Sequence, residues 1–89
     1  MYDDDGVTIG QVVKSKAGRD KGRIFIVIEV DGEYAYLVDG DFRRLDKPKK
    51  KKIKHLIVYN TVFSELQYKI ENKIRLNNEY IRKLLEPIK

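Results

Sequence analysis

The chain contains no cysteine and only one histidine among its 89 residues. Disulfides, thiolate metal sites and metal sites built from several histidines are therefore excluded. Its apolar runs fall well short of the roughly 20 residues that a membrane helix needs, and residues 3–5 are all aspartate, where a signal peptide would be basic. We therefore expect a cytoplasmic protein with no metal, no cofactor and no membrane partner.

The length of the chain suits one small domain, because a second core would be too small to be stable. Hydrophobic residues make up 42% of the sequence, which is enough for one core and too much for a disordered chain. That core must use most of the apolar side chains, so a large enclosed cleft is not expected. The sequence shows no nucleophile–base arrangement, phosphate-binding loop or acidic metal cluster. We predict that the protein is not an enzyme and has no small-molecule substrate.

The positive charge is concentrated in one short segment. The formal net charge is +5, but residues 1–40 are net −3, residues 41–55 are net +6 and residues 56–89 are net +2. An evenly basic surface mainly aids solubility, whereas a concentrated positive field attracts polyanions. The distribution therefore points to a nucleic-acid partner.

Short β-branched and aromatic runs predict a series of strands. The second run, residues 24–30, is apolar on both faces, which implies that something covers its second face. The pairs Asp31-Gly32 and Asp39-Gly40 predict two consecutive hairpins, with both glycines at positive φ. The predicted strands are residues 9–15, 24–30, 34–38, a short one around 42–45, and 53–59.

Helical spacing begins after Asn60. Val62, Phe63, Leu66 and Ile70 predict an amphipathic helix over residues 61–72, with Asn60 or Thr61 as its N-cap. A second helix is predicted over residues 78–86, with Asn77 as N-cap. The sequence thus divides into a flexible acidic lead-in (1–8), a β unit (9–59) and a helical tail (60–89) that packs on it. We expect Leu66, Ile70, Ile81 and Leu84 to be buried.

The first 30 residues resemble the KOW motif, which has a glycine opening a strand, a Gly-x-x-Lys-Gly loop and an apolar strand behind it. Here these parts are Gly10-Gln11-Val12-Val13, then Gly18-Arg19-Asp20-Lys21-Gly22, then Ile26-Val27-Ile28. The longer pattern, with Val38-Asp39-Gly40, is similar to the archaeal and eukaryotic large-subunit ribosomal protein fourteen-e family and its small bacterial relatives. Phe25 stands where the usual motif has a further glycine.

The resemblance implies a mainly β fold: a five-stranded SH3-like (KOW) barrel, here followed by two short C-terminal α-helices. It also implies binding to RNA, ribosomal RNA above all, as a ribosomal or ribosome-associated factor. The alternative is a protein-interaction module that acts as an adaptor in transcription or translation. The two readings differ in the role of the basic segment, since RNA binding through phosphates depends steeply on salt.

Two groups of basic residues are the candidate RNA contacts. The first lies on or beside the loop at residues 18–22, whose glycines either serve only the turn or also allow close approach to RNA. The second is a basic arm over residues 43–55, which is either a phosphate-binding arm or a solvated charge run. The candidate residues are Lys14, Lys16, Arg19, Lys21, Arg23, Arg43, Arg44, Lys47, Lys49, Lys50, Lys51, Lys52, Lys54 and His55.

The role of two aromatic residues is left open by the sequence. Tyr34 and Tyr36 share one face of a predicted strand. Packing in the core or under the helices is the expected role, but on an open face their rings would suit stacking with unpaired bases. His55 stands alone and is expected to be structural rather than a ligand contact.

Overall fold

The computed structural model describes residues 6–89 and confirms a mainly β fold followed by two helices. The strands are β1 (Gln11–Ser15), β2 (Ile24–Asp31), β3 (Tyr34–Val38), β4 (Lys49–Lys52) and β5 (Leu56–Val62), with a 3-10 turn at Ile53–His55. The helices are α1 (Ser64–Glu71) and α2 (Asn78–Leu85). The strands form one antiparallel sheet in the order β4-β3-β2-β1-β5, so β4 and β5 are edges and the sheet is open.

Both faces of β2 are covered, as its continuous apolar run predicts. Phe25 and Val27 point to one face and Ile26 to the other, and all three are fully buried. The inner core contains Val13, Phe25, Val27, Ala35, Leu37, Ile53 and Leu56. The outer core contains Val12, Ile26, Val38, Leu66, Ile81 and Leu85, so the two helices cover the outer face of the sheet.

The predicted strand around residues 42–45 is wrong, because residues 39–48 form a loop. The buried Asp39 carboxylate accepts hydrogen bonds from the backbone N–H groups of Asp41 (3.0 Å) and Arg43 (2.8 Å). These local bonds give the backbone an alternative to a strand ladder. Gly32 and Gly40 both have positive φ, as predicted, but only Asp31-Gly32 joins strands directly.

Part of the basic arm is corrected to a strand, since Lys49–Lys52 form β4. Lys49–Lys52 pair with β3 in register, from Leu37 opposite Lys49 to Tyr34 opposite Lys52. Lysine has little intrinsic preference for strands, so residues 49–52 form a strand because β3 is there to pair with them. Lysines on an edge strand also deter pairing with other chains, a common use of charge at sheet edges.

Several boundaries also differ from the predictions. Residues 1–5 of the predicted lead-in lie outside the described residues, while Val7 packs against the inner core rather than lying free. Asn60 and Thr61 belong to β5 instead of capping a helix, and α1 begins after Phe63 with no side-chain cap. Leu66 and Ile81 are fully buried as predicted, whereas Ile70 and Leu84 are only half-buried.

The start of α2 is fixed by its predicted cap. The Asn77 side chain accepts a hydrogen bond from the backbone N–H of Tyr80 at 2.8 Å. Asn78 ties this end of the helix to the 39–48 loop, because its side-chain oxygen accepts the N–H of Leu45 at 2.8 Å. The helix therefore holds the loop as well as the sheet.

Replacing Asn77 with alanine should lower the free energy of unfolding by about 1 kcal/mol, the usual cost of a lost N-cap. Asn60→Ala is the matched control, because Asn60 is exposed on β5. Its effect should stay within roughly 0.5 kcal/mol. Urea unfolding of both variants measures the difference, and equal losses would show that Asn77 does not act as a cap.

Candidate nucleic-acid interface

The β1–β2 loop presents basic side chains on both sides of a buried aspartate. Asp20 is 4% exposed and accepts hydrogen bonds from Ser15 Oγ (2.7 Å) and Lys51 Nζ (2.9 Å). This anchor fixes the middle of the loop to β1 and β4. Arg19 and Lys21, on either side of it, are exposed together with Arg23. The loop thus presents three cationic groups on a backbone that is held in place by the hydrogen bonds to Asp20.

Lys51 is a structural residue, unlike the other lysines of β4. Its Nζ lies 2.9 Å from Asp20 Oδ1 and donates a second hydrogen bond to the Ala17 carbonyl at 2.8 Å. Its side chain is only 10% exposed. Lys51 is one of the predicted RNA contacts, but its ammonium is already bound to Asp20 and Ala17 within the fold, so it is not a free charge on a basic arm.

Asp20 remains ionised well into the acid range. Burial raises the pKa of its carboxyl, but hydrogen bonds from Lys51 and Ser15, with the positive charges of Lys51 and Lys49, outweigh this and hold the pKa below the ordinary 3.8. Asp20 Oδ2 is buried and has no hydrogen-bond partner within residues 6–89. The loop is thus fastened by a charged pair that is only partly satisfied.

Phe42 brings two of the candidate arginines together. Phe42 is 51% exposed, and the guanidinium carbons of Arg23 and Arg43 lie 3.9 Å and 5.8 Å from the centroid of its ring. Both distances are in the cation–π range. This contact joins the β1–β2 loop to the 39–48 loop and forms a basic corner of the molecule, defined here as Arg19, Lys21, Arg23, Phe42 and Arg43.

An open pocket of about 310 Å³ adjoins the basic corner. It is lined by Gly22, Arg23, Ile24, Asp39 and Lys89. Lys89 is not among the predicted contacts, since it is distant in sequence from the other lining residues and follows α2, whose Ile81 and Leu85 pack in the outer core. The pocket adds a further ammonium group beside Arg23.

The remaining candidates differ in their exposure. Lys16, Arg44, Lys47, Lys50 and Lys54 are exposed, whereas Lys14, Lys49, Lys52 and His55 are half-buried. The backbone N–H of Lys16 donates to the carbonyl of His55 at 3.0 Å, which keeps the β1–β2 loop next to the start of β5. His55 makes this contact through its backbone.

A second basic surface lies on the outer face of β3 and β4. Tyr34 and Tyr36 are half-buried, and neither ring belongs to the inner or outer core of the described chain. Lys50 Nζ lies 4.6 Å from the centroid of Tyr34 and 6.0 Å from that of Tyr36, and Lys52 Nζ lies 6.0 Å from Tyr34. The expected packing of these tyrosines in the core or under the helices is therefore wrong, since lysines cover them instead.

Alternation along β4 separates the roles of its lysines. Lys50 and Lys52 share the outer face with the tyrosines, while Lys51 points toward Asp20. The period of two along a strand accounts for this division. A run of four lysines carries no strand signal of its own, so the sequence predicts a basic arm here instead.

Within residues 6–89, no group of three carboxylate or imidazole side chains is placed to hold a metal ion. Nor does this part of the chain contain a helix of the length and apolarity needed to cross a membrane. No protein-family model and no curated protein matches the sequence.

Proposed function

We propose that this protein binds RNA, with ribosomal RNA as the leading candidate, and acts as a ribosomal or ribosome-associated factor. It would do so on an SH3-like fold of the KOW type, without chemistry, by neutralising phosphates and fitting the shape of the RNA. The observation that carries the proposal is the basic corner, where Arg23 and Arg43 both contact the Phe42 ring and exposed Arg19 and Lys21 belong to the same loop as Arg23. Arginines make paired hydrogen bonds to phosphate and stack on bases.

Electrostatics and architecture both support this proposal. The excess positive charge of the sequence lies in residues 41–55, and the folded chain sets part of that segment beside the basic β1–β2 loop. The rigid anchor at Asp20 reduces the entropy lost when the loop binds, because the loop is already ordered. A five-stranded sheet in which β1 pairs with both β2 and β5 is compatible with a barrel left open between β4 and β5.

RNA binding is tested by salt titration of a fluorescent RNA hairpin with wild type and Arg19→Gln/Lys21→Gln. If both residues contact phosphates, the slope of log affinity against log salt should flatten by about 1.4–1.8. Arg75→Gln/Lys83→Gln removes the same charge from exposed positions outside the basic corner, so it should keep a slope close to wild type. Equal slopes for all three proteins would contradict the proposed corner.

A protein-adaptor function is the second candidate, and β5 is the observation that favours it. This edge strand carries no charged residue and exposes Ile57 (46%), Val58 (38%) and Val62 (38%). An unpaired edge of this kind can accept a strand from a partner protein. Ribosome co-sedimentation before and after nuclease treatment separates the two functions, since a protein partner would survive the nuclease.

A further inference from the structure

Three chemically distinct rows of side chains cross the outer face of β4, β3 and β2. The strand register pairs Lys50 with Tyr36 and Lys52 with Tyr34. On the other side of β3, Glu29 pairs with Tyr36 and Asp31 with Tyr34. Paired residues of an antiparallel sheet point to the same face. Ammonium groups, aromatic rings and carboxylates therefore follow one another across three neighbouring strands, in two parallel lines.

This three-row surface is accessible from solvent. The helices cover Val38 and Ile26 at the other end of the same face, whereas Tyr34 and Tyr36 lie outside the outer core. Lys50, Glu29 and Asp31 are exposed. Neither carboxylate has an ion-pair partner in the part of the chain that the structure describes. The polar groups at both sides of the tyrosines are thus available to a ligand.

The spacing of the tyrosines fits bases that are not stacked on each other. Two residues along an antiparallel strand span about 6.8 Å. Consecutive bases of a duplex lie only about 3.4 Å apart along the helix axis. One base on each ring therefore requires an extended single strand. A duplex could not place successive bases on both rings, since its bases are already stacked.

Lys50 need not obstruct a base on Tyr34. Its ammonium group lies over the ring at 4.6 Å, but a cation–π contact at an exposed site strengthens an interaction by only about 2- to 5-fold. A base stacked on an aromatic ring strengthens binding by about 5- to 150-fold. When a base replaces the ammonium, the flexible lysine stem can carry it to the adjacent phosphate. The binding of base and phosphate would then be coupled through this one side chain.

We propose that the three-row surface binds two successive unpaired nucleotides, with phosphates at Lys50 and Lys52, bases on Tyr34 and Tyr36, and base amino groups toward Glu29 and Asp31. Carboxylates accept hydrogen bonds from the amino group of cytosine. At the corresponding position uracil has a carbonyl oxygen, which a carboxylate repels. The surface therefore favours cytosine over uracil. This inference rests on RNA binding as the proposed function and names the RNA form bound at this face.

The stacking step is tested with fluorescent single-stranded eight-nucleotide oligo(C) and with an RNA hairpin that has a short, closed loop. Tyr34→Leu/Tyr36→Leu should bind oligo(C) at least about 10-fold more weakly, with hairpin binding unchanged because it uses the basic corner. Tyr34→Phe/Tyr36→Phe keeps both rings and should bind oligo(C) like wild type. Tyr68→Leu, at a ring 60% exposed on α1, is the control and should change neither affinity.

The readout by carboxylates is tested with oligo(C) and oligo(U), which have similar rings but different base edges. Wild type should prefer oligo(C) by about 5-fold or more. Glu29→Gln/Asp31→Asn removes two negative charges, so it should bind both oligomers more tightly while the preference for oligo(C) narrows. Gain of affinity together with loss of selectivity is a combination that simple misfolding would not produce.

The outcomes separate this inference from the proposed function. If wild type binds neither oligomer nor hairpin, RNA binding itself is wrong and the inference falls with it. If the hairpin binds and Tyr34→Leu/Tyr36→Leu leaves oligo(C) affinity unchanged, the three-row surface is overturned while RNA binding stands. If that variant loses oligo(C) but wild type does not distinguish the two oligomers, the proposed recognition by carboxylates is overturned.

Discussion

Replacing Gly40 with valine is expected to lower the free energy of unfolding by about 3–5 kcal/mol. Gly40 has φ +81, a conformation that a β-branched residue rarely adopts. It also packs directly on α2, since an added Cβ would clash with the Asn78 carbonyl oxygen and would lie 3.0 Å from the Arg82 backbone nitrogen. Backbone strain and a steric clash with helix backbone therefore act together.

Gly22→Val is the matched control for the clash. Gly22 has φ +91, and an added Cβ would meet no atom within 4 Å. The Gly22→Val variant should therefore lose only about 1–3 kcal/mol of unfolding free energy, the cost of backbone strain alone. Urea unfolding of both variants gives the comparison. If the two variants lose the same stability, the steric clash with α2 does not contribute, and the close approach of the 39–48 loop to α2, which also includes the hydrogen bond from Arg82 Nη1 to the Gly40 carbonyl (2.8 Å), does not exclude a side chain at Gly40.

Replacing Lys51 with methionine is expected to cost about 3–5 kcal/mol, because it leaves the Asp20 carboxylate buried and unpaired. Lys50→Met is the control on the same strand. Lys50 is exposed and its ammonium group lies over tyrosine rings, so its loss should change stability by less than about 1 kcal/mol. Lys51→Met/Asp20→Asn should recover part of the loss, since an amide is cheaper to bury than a charge.

Lowering the pH should reduce the difference in unfolding free energy between wild type and Lys51→Met. In wild type the pKa of Asp20 is held below its ordinary 3.8, so its stabilising effect is present above about pH 4 and is lost as pH falls through the lowered pKa. In the variant, burial is opposed only by the Ser15 hydrogen bond and the more distant charge of Lys49, so the pKa of Asp20 should be higher than in wild type. Protonation then relieves the variant while it destabilises wild type. A difference in unfolding free energy that stays constant from pH 7 to pH 3 would contradict the buried pair.

The same result bears on how RNA-binding variants should be designed. A variant that changes Lys49, Lys50, Lys51 and Lys52 together would lose the Asp20 anchor along with the exposed charges. Weaker RNA binding could then reflect a disordered β1–β2 loop. Changes confined to Lys50 and Lys52, or to Arg19 and Lys21, leave the anchor in place and report on contacts with the ligand.

Local sequence patterns correctly predicted the elements whose structure is determined by residues within the element itself. Strand β3 has the predicted bounds, and Asn77 caps α2, because β-branching, aromatic content and a polar cap act over a few residues. The apolar run of β2 predicted burial on both faces, and both are buried. In each case a short-range signal and the tertiary environment agree.

The predictions failed where the local structure depends on residues that are distant in sequence. Residues 49–52 form a strand because β3 offers them a ladder, and nothing within four lysines indicates that. Lys51 differs from its neighbours only because Asp20 lies opposite it across the fold. Phe42 became the centre of the basic corner because Arg23 approaches from another loop. Composition located the charge of the candidate interface, but its arrangement depends on long-range contacts.

Pairing of β1 with β5 also sets the order in which the protein can fold during synthesis. Ser15 lies opposite Leu56 and Gln11 opposite Val62, so about 40 residues of chain must be made before this ladder can begin. At the usual 5–20 residues per second, this takes roughly 2–8 s. The local β2–β3 hairpin can form during that interval. The inner core around Val13 cannot be completed until Leu56, at the start of β5, has been synthesised. We expect the closing of this long loop to limit the folding rate, because the chain loses the entropy of loop closure before the contacts between β1 and β5 can stabilise it.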